Sequence, residues 1–136
     1  MIQIIHGKKG SGKTKRLIDM TNDAMNERHG DVVFVDDDNR YMFDLRHEVR
    51  FVNAGEYGVS GPKMFYGFIC GMITQNYDIT HIFVDAFLKL VNVEPKETAW
   101  FFDQLESLTE KHDLTFVLSV SCDDSEAPEF MKKFFI

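Results

Sequence analysis

The 136-residue sequence predicts an α/β fold, a three-layer αβα sandwich in which a mostly parallel sheet of about five strands lies between helices. Short apolar runs rich in β-branched residues recur along the chain, and most are followed by a stretch with helical apolar spacing. The runs are continuous rather than alternating, which is typical of parallel strands covered on both faces. We therefore expect right-handed crossover connections between the strands.

The expected elements follow one another in strand–helix order. Strands are predicted at 2–6, 32–35, 49–52, 81–85 and 114–121, and helices at 13–28, 62–75, 95–112 and 126–136. Residues 40–48 fit either a short helix or a loop. Gly67 and Gly71 lie four residues apart on one predicted helix, which favours close packing of another element, and the single tryptophan, Trp100, is expected in the core.

Length and composition narrow the class of protein. The length predicts one domain over 1–136. The net charge is -7, with ten basic and ten acidic residues in 1–68 but five basic and twelve acidic residues in 69–136. This acidic second half does not favour a nucleic-acid partner. No apolar stretch is long enough for a membrane span and no signal peptide is evident, so we expect a cytoplasmic protein whose two cysteines are reduced.

The clearest motif covers residues 7–14, which fit the phosphate-loop pattern G-x-x-x-x-G-K-[ST]. Its residues are Gly7, Lys8, Lys9, Gly10, Ser11, Gly12, Lys13 and Thr14. A predicted strand precedes it and a predicted helix follows it, so backbone N–H groups and the helix N-terminus can bind phosphate. Lys13 is expected to reach the β- and γ-phosphates, and the Thr14 hydroxyl to bind Mg²⁺.

A second acidic anchor for Mg²⁺ is expected at the end of another strand. The run Ile82-Phe83-Val84-Asp85 supplies it, with Asp85 opposite Thr14. Many buried strands end in aspartate, so this pattern gains its weight from the phosphate loop.

Residues 7–14 and 82–85 resemble the Walker A and Walker B motifs of P-loop NTPases. The intervening strands and the later run 115–121 resemble the additional-strand ATPase division, which includes recombinase-like ATPases and thymidine-kinase-like enzymes. The resemblance implies ATP and Mg²⁺ as ligands, with Lys13 and Asp85 in catalytic roles. It also implies a polar sensor of the γ-phosphate on the strand after Walker B, either Ser119 or Ser121.

One departure from that division concerns the residue after Asp85. Many members have glutamate there to polarise the attacking water, whereas this chain has Ala86. The alternative carboxylates are Asp36, Asp37 and Asp38, whose strand end faces the same sheet edge as the phosphate loop. An acidic, solvated turn explains these aspartates equally well, and Glu56 is a weaker candidate.

The arginines form a second departure. None follows Arg50, so the second half has no arginine-bearing lid of the kind common in nucleotide kinases. Arg40 and Arg46 flank the ambiguous segment near the expected ligand edge and are the favoured sources of positive charge, although a surface role or a partner's arginine also fits.

Three hypotheses remain open from the sequence. The leading one is an ATP-binding protein that hydrolyses ATP slowly or with stimulation by a protein partner or a second copy. The others are a small-molecule kinase with its acceptor near Asp36–Asp38 and Tyr57, and a non-catalytic ATP-dependent switch, which Ala86 favours. No N-K-x-D segment is present, which favours ATP over GTP. His6 is expected to pack at its strand end or to contact a phosphate.

Overall fold

The computed structural model of the protein describes residues 1–27 and 29–136. Its strands are β1 (Ile2–Gly7), β2 (Asp31–Asp36), β3 (Arg50–Asn53), β4 (Ile79–Val84) and β5 (Thr115–Ser121). They form one sheet in the order β1-β5-β4-β2-β3, and each neighbouring pair is parallel. The predicted parallel sheet is confirmed. The last residue of the predicted first helix, Arg28, lies outside the described residues.

Helices cover both faces of the sheet. They are α1 (Lys13–Glu27), α2 (Pro62–Gln75), α3 (Phe87–Val91), α4 (Ala99–His112) and α5 (Glu129–Lys132). On one face, α1 packs through Leu17 and Ile18 against Phe34 of the sheet. The other four helices pack on the opposite face, so the three-layer sandwich is also confirmed.

Phenylalanine dominates the larger of the two apolar layers. The rings of Phe87 and Phe101 lie 5.0 Å apart between centroids, and those of Phe65 and Phe101 lie 5.7 Å apart. All three side chains are fully buried. Such ring pairs stabilise a core beyond the area that they bury. They fix α2, α3 and α4 on the face of the sheet opposite α1.

The predicted C-terminal helix at 126–136 is wrong for most of its length. Only α5 is helical, and the chain then runs beside β1. There the Ile4 N–H donates to the Phe134 carbonyl at 2.8 Å, and the Ile136 N–H donates to the Ile4 carbonyl at 3.0 Å. Because β1 is an edge strand with free backbone groups, the terminal segment can satisfy two of them by lying beside it.

Further expectations about the second half need correction. A short helix, α3, follows Asp85 where none was expected, and it ends at Asn92, whose φ is 52°. The predicted 95–112 helix begins as a 3₁₀ turn, Pro95–Thr98. Trp100 is 40% exposed rather than buried in the core. Gly67 and Gly71 are also exposed, and no other element approaches them closely.

Among residues 1–27 and 29–136, no helix combines the length and the apolar character that a bilayer span requires.

The ambiguous 40–48 segment is mostly loop, with one 3₁₀ turn at Met42–Asp44.

Candidate functional site

The phosphate-loop motif forms the connection between β1 and α1. Gly10 and Gly12 have φ values of 83° and 85°, which a side chain would strain, so the glycines of the motif are needed for this path. The Lys13 ammonium folds back over the loop and donates to the Lys8 carbonyl at 2.8 Å. Burial lowers the pKa of Lys13, and the nearby Asp85 carboxylate opposes that shift. The loop therefore holds a buried cation beside its backbone amides.

The two predicted Mg²⁺ ligands contact each other across the sheet edge. Thr14 lies in the first turn of α1, and Asp85 directly follows β4. The Thr14 hydroxyl lies 3.0 and 3.2 Å from the two carboxylate oxygens of Asp85. Residues 71 positions apart in sequence are thus brought into hydrogen-bond contact at the mouth of the loop. A hydroxyl and a carboxylate oxygen are ligands that Mg²⁺ accepts.

The two candidate sensor serines differ in environment, although both lie on β5. β5 lies between β1 and β4 in the sheet. The buried Ser119 hydroxyl donates to Asp85 and accepts from the Ala86 N–H at 3.1 Å. Ser121 is exposed and lines the cavity beside the loop. Both serines line the cavity, but Ser119 is buried and positions Asp85, whereas Ser121 is exposed.

Ala86 has an unusual backbone conformation. Its φ is 55°, in the left-handed region that an alanine rarely adopts, and it precedes the first turn of α3. The Ala86 carbonyl accepts from the N–H groups of Lys89 and Leu90. This turn starts α3 immediately after Asp85, at the wall of the site.

Three consecutive aspartates end β2 at the same edge. Asp36 is only 2% exposed, while Asp37 and Asp38 are half-buried, so the predicted solvated turn is wrong for Asp36. The Asp36 Oδ1 accepts from the Asp37 N–H at 2.7 Å, but its Oδ2 has no hydrogen-bond partner among the described residues. Burial raises the pKa of Asp36 from 3.8 to about 8, and the carboxylates of Asp37 and Asp85 add to that rise.

One cavity of about 810 Å³ joins these groups. At one end are the loop residues Lys9, Gly10, Gly12, Lys13 and Thr14, with Asp85, Ser119 and Ser121. The cavity continues along α1 past Lys15, Ile18, Asp19 and Asn22. Its lining also includes Asp36, Asp37, Asp38, Arg40, Tyr41 and Asp44, together with Ala86 and residues 87–89 of α3. It is basic at the loop and acidic at the far end.

Other candidates lie elsewhere. Glu56 and Tyr57 line a separate groove beside β3, so Tyr57 and the three aspartates do not line one cavity as the kinase hypothesis expected. Arg46 pairs with Glu48 and does not line the cavity, whereas Arg40 does and pairs with Asp38 at 3.6 Å. His6 stacks on Phe135 with ring centroids 3.8 Å apart, which agrees with packing at the strand end.

Sequence reasoning missed the wall that α1 and the 41–44 segment form. Ile18 and Asn22 continue the face of α1 that begins at Thr14, and the helical period could have indicated them. Nothing in the sequence indicated that Tyr41 and Asp44 would face them. That contact depends on the path of a loop, held in part by the Asn22 side chain, which donates to the Asp44 carbonyl at 3.1 Å.

No family model matches this chain, and no curated protein matches it. Among solved structures, it is similar to the flagellar accessory protein FlaH from Methanocaldococcus jannaschii, with a TM-score of 0.56 and 14% sequence identity. The match covers 97% of this chain and 65% of the FlaH chain, so this chain spans less than two thirds of that protein's length. At this level of identity the likeness shows the fold alone.

Proposed function

We propose that the protein binds ATP with Mg²⁺ at the phosphate loop. The observation that carries the proposal is the contact of Thr14 with Asp85, at 3.0 Å, beside the buried ammonium of Lys13. The lysine and the hydroxyl at the start of α1 thus meet a carboxylate that follows β4 at the end of the loop. A glycine-rich turn that matched the motif by chance would have no reason to bring them together.

Each group has a role that follows from its chemistry. The loop amides and the N-terminus of α1 would hold phosphate oxygens. Lys13 would exchange its bond to the Lys8 carbonyl for phosphate oxygens, which are better partners for an ammonium because they carry charge. Thr14 and Asp85 would hold Mg²⁺, which neutralises charge on the phosphates when bound. Ser119 fixes the orientation of Asp85 by its hydrogen bond.

Slow or partner-stimulated hydrolysis is the turnover that these groups support best. Ala86 offers no carboxylate next to Asp85. Asp36 lines the cavity, but its oxygen without a hydrogen-bond partner is buried. With its pKa raised to about 8, Asp36 is mostly protonated at neutral pH and is a poor proton acceptor there. We place this activity in the cytoplasm, where the free cysteines Cys70 and Cys122 would stay reduced.

Phosphate release from ATP and Mg²⁺ tests this turnover. We expect slow release by the purified protein and its loss in Lys13→Ala. Lys89→Ala is the matched control, since it removes the same charge from the rim of the same cavity and should leave the rate nearly unchanged. Release that persists in Lys13→Ala would assign the activity to a contaminant. ATP binding without release, together with a change in oligomeric state, would instead indicate a nucleotide-dependent switch.

A small-molecule kinase is the second candidate, and the shape of the cavity favours it. From Thr14 the cavity follows α1 to Asn22, a rise of about 12 Å over eight residues. This space lies beyond the phosphate loop and could hold a phosphoryl acceptor beside Asp36. ADP formed only after a metabolite pool is added would support the kinase, whereas ADP formed equally without the pool would exclude it.

A further inference from the structure

The three aspartates at the end of β2 form a compact group of oxygen ligands. One carboxylate oxygen from each of Asp36, Asp37 and Asp38 lies within 4.8 Å of the other two. Divalent cations such as Mg²⁺ and Ca²⁺ coordinate oxygen at about 2.0 to 2.6 Å, so a single ion can contact oxygens spaced in this way. This spacing is common in acidic turns and does not by itself indicate a metal site.

The burial and hydrogen bonding of Asp36 support a metal site. Its side chain is 2% exposed, so the carboxylate is removed from water. Its Oδ2 nevertheless has no hydrogen-bond partner within the described part of the chain. A buried carboxylate oxygen without a partner is costly, and proteins normally supply a donor or a cation. Here the neighbouring side chains supply two further carboxylates.

The local charge is also unbalanced. Arg40 is the cation beside the group, and it pairs with Asp38 at 3.6 Å. In the ranges 1–27 and 29–136, Asp36 and Asp37 take part in no ion pair with a basic side chain. Asp37 thus carries a charge that no basic side chain balances, and a divalent cation that displaces the proton of Asp36 would balance both carboxylates.

The backbone holds this group in place before any ligand arrives. Gly55 packs so closely on the turn that a Cβ there would lie 2.1 Å from the Asp37 carbonyl oxygen. The Asp38 Oδ1 accepts from the Arg40 N–H at 2.9 Å. The aspartates therefore sit on a braced turn at the end of a central strand.

We propose that Asp36, Asp37 and Asp38 bind a divalent cation, separate from the ion that Thr14 and Asp85 would share with a nucleotide. The site needs no nucleotide, because its ligands all come from the protein. The inference stands on residues outside the phosphate loop and is independent of ATP binding.

Titration of Mn²⁺ into the chelator-stripped, nucleotide-free protein, followed by electron paramagnetic resonance, tests it. We expect one Mn²⁺ per chain. Asp37→Asn should weaken binding by about tenfold or more, the scale on which metal sites respond to loss of a supporting group. Asp44→Asn is the matched control, because it removes an exposed carboxylate from the same cavity but not from the group, and it should bind as the parent does.

Three outcomes would overturn the site: no Mn²⁺ binding without nucleotide, equal binding by Asp37→Asn and the parent, or loss of binding in Asp44→Asn alone. Binding lost in Asp85→Asn but kept in Asp37→Asn would place the ion at the Thr14–Asp85 pair and contradict the proposal. Calorimetric titration of ATP into the same variants measures nucleotide binding independently. If the Asp37→Asn variant still binds ATP, its loss of Mn²⁺ binding is due to the aspartate group and not to misfolding. Failure of ATP binding would leave the Mn²⁺ result standing.

Discussion

Asp85 and Asp36 are buried carboxylates at the ends of neighbouring parallel strands, yet their surroundings differ. Asp85, after β4, receives hydrogen bonds from the hydroxyls of Thr14 and Ser119. Asp36, at the end of β2, receives one backbone N–H and keeps a free oxygen. The first carboxylate is stabilised by neutral donors, and the second lies beside two more aspartates. The two aspartates thus differ in how they could bind a ligand. Hydrogen bonds orient the carboxylate of Asp85, whereas Asp36 has a free oxygen beside other carboxylates.

The comparison predicts a large effect of pH on stability through Asp36. Its pKa is 3.8 ordinarily and about 8 in the folded protein, so the folded state binds more protons between these values. Asp36 therefore adds to the free energy of unfolding at low pH. This contribution is lost as the pH rises from about 4 to 8, at up to about 1.4 kcal/mol per pH unit. Urea unfolding in a chelating buffer measures it.

In that experiment the free energy of unfolding of Asp36→Asn should decrease less with rising pH than that of the parent. Asp44→Asn, which removes an exposed carboxylate, should show the same pH dependence as the parent. Parallel curves for the parent and Asp36→Asn would show that Asp36 titrates alike in the folded and unfolded chains. A divalent cation added at pH 8 should stabilise the parent more than Asp36→Asn.

The second prediction compares the two serines of β5. Ser119→Ala leaves the Ala86 N–H without its acceptor and removes one of the two hydroxyl donors to Asp85. It should lower the free energy of unfolding by about 1–2 kcal/mol. Ser121→Ala, at an exposed position, should change it by less than about 0.5 kcal/mol. Chemical denaturation of both variants checks this, and equal effects would mean that the Ser119 bonds contribute nothing net.

The smallest effect is expected at Ala86. Its left-handed backbone costs an alanine about 1–2 kcal/mol, and glycine avoids that cost but loses more entropy on folding. Ala86→Gly should therefore raise the free energy of unfolding by roughly 1 kcal/mol or less. Ala24→Gly, within α1, should lower it by about 1 kcal/mol, since glycine is a poor helix residue. Thermal unfolding of the two variants shows whether each is more or less stable than the parent. A less stable Ala86→Gly variant would show that the backbone of Ala86 is not strained.

Much of this arrangement was predictable from local patterns. Continuous apolar runs predicted all five strands, and the phosphate-loop motif predicted the turn that carries Lys13 and Thr14. The burial of Asp36 was not predictable, because it depends on β2 lying between β3 and β4 and on the covering loop. The C-terminal segment was misassigned because a free sheet edge, a tertiary feature, competes with the helical propensity of its sequence.

The central claim is that the phosphate loop, with Thr14 and Asp85, binds a magnesium nucleotide. Calorimetric titration of ATP into the protein, with Mg²⁺ and again with chelator, tests it most directly. The account predicts one site per chain and tighter binding with Mg²⁺. It also predicts affinity at least about 30-fold weaker in Lys13→Ala, since a hydrogen bond between charged groups contributes roughly 2 kcal/mol. No binding heat at saturating ATP, or a Lys13→Ala variant that binds ATP as the parent does, would contradict it.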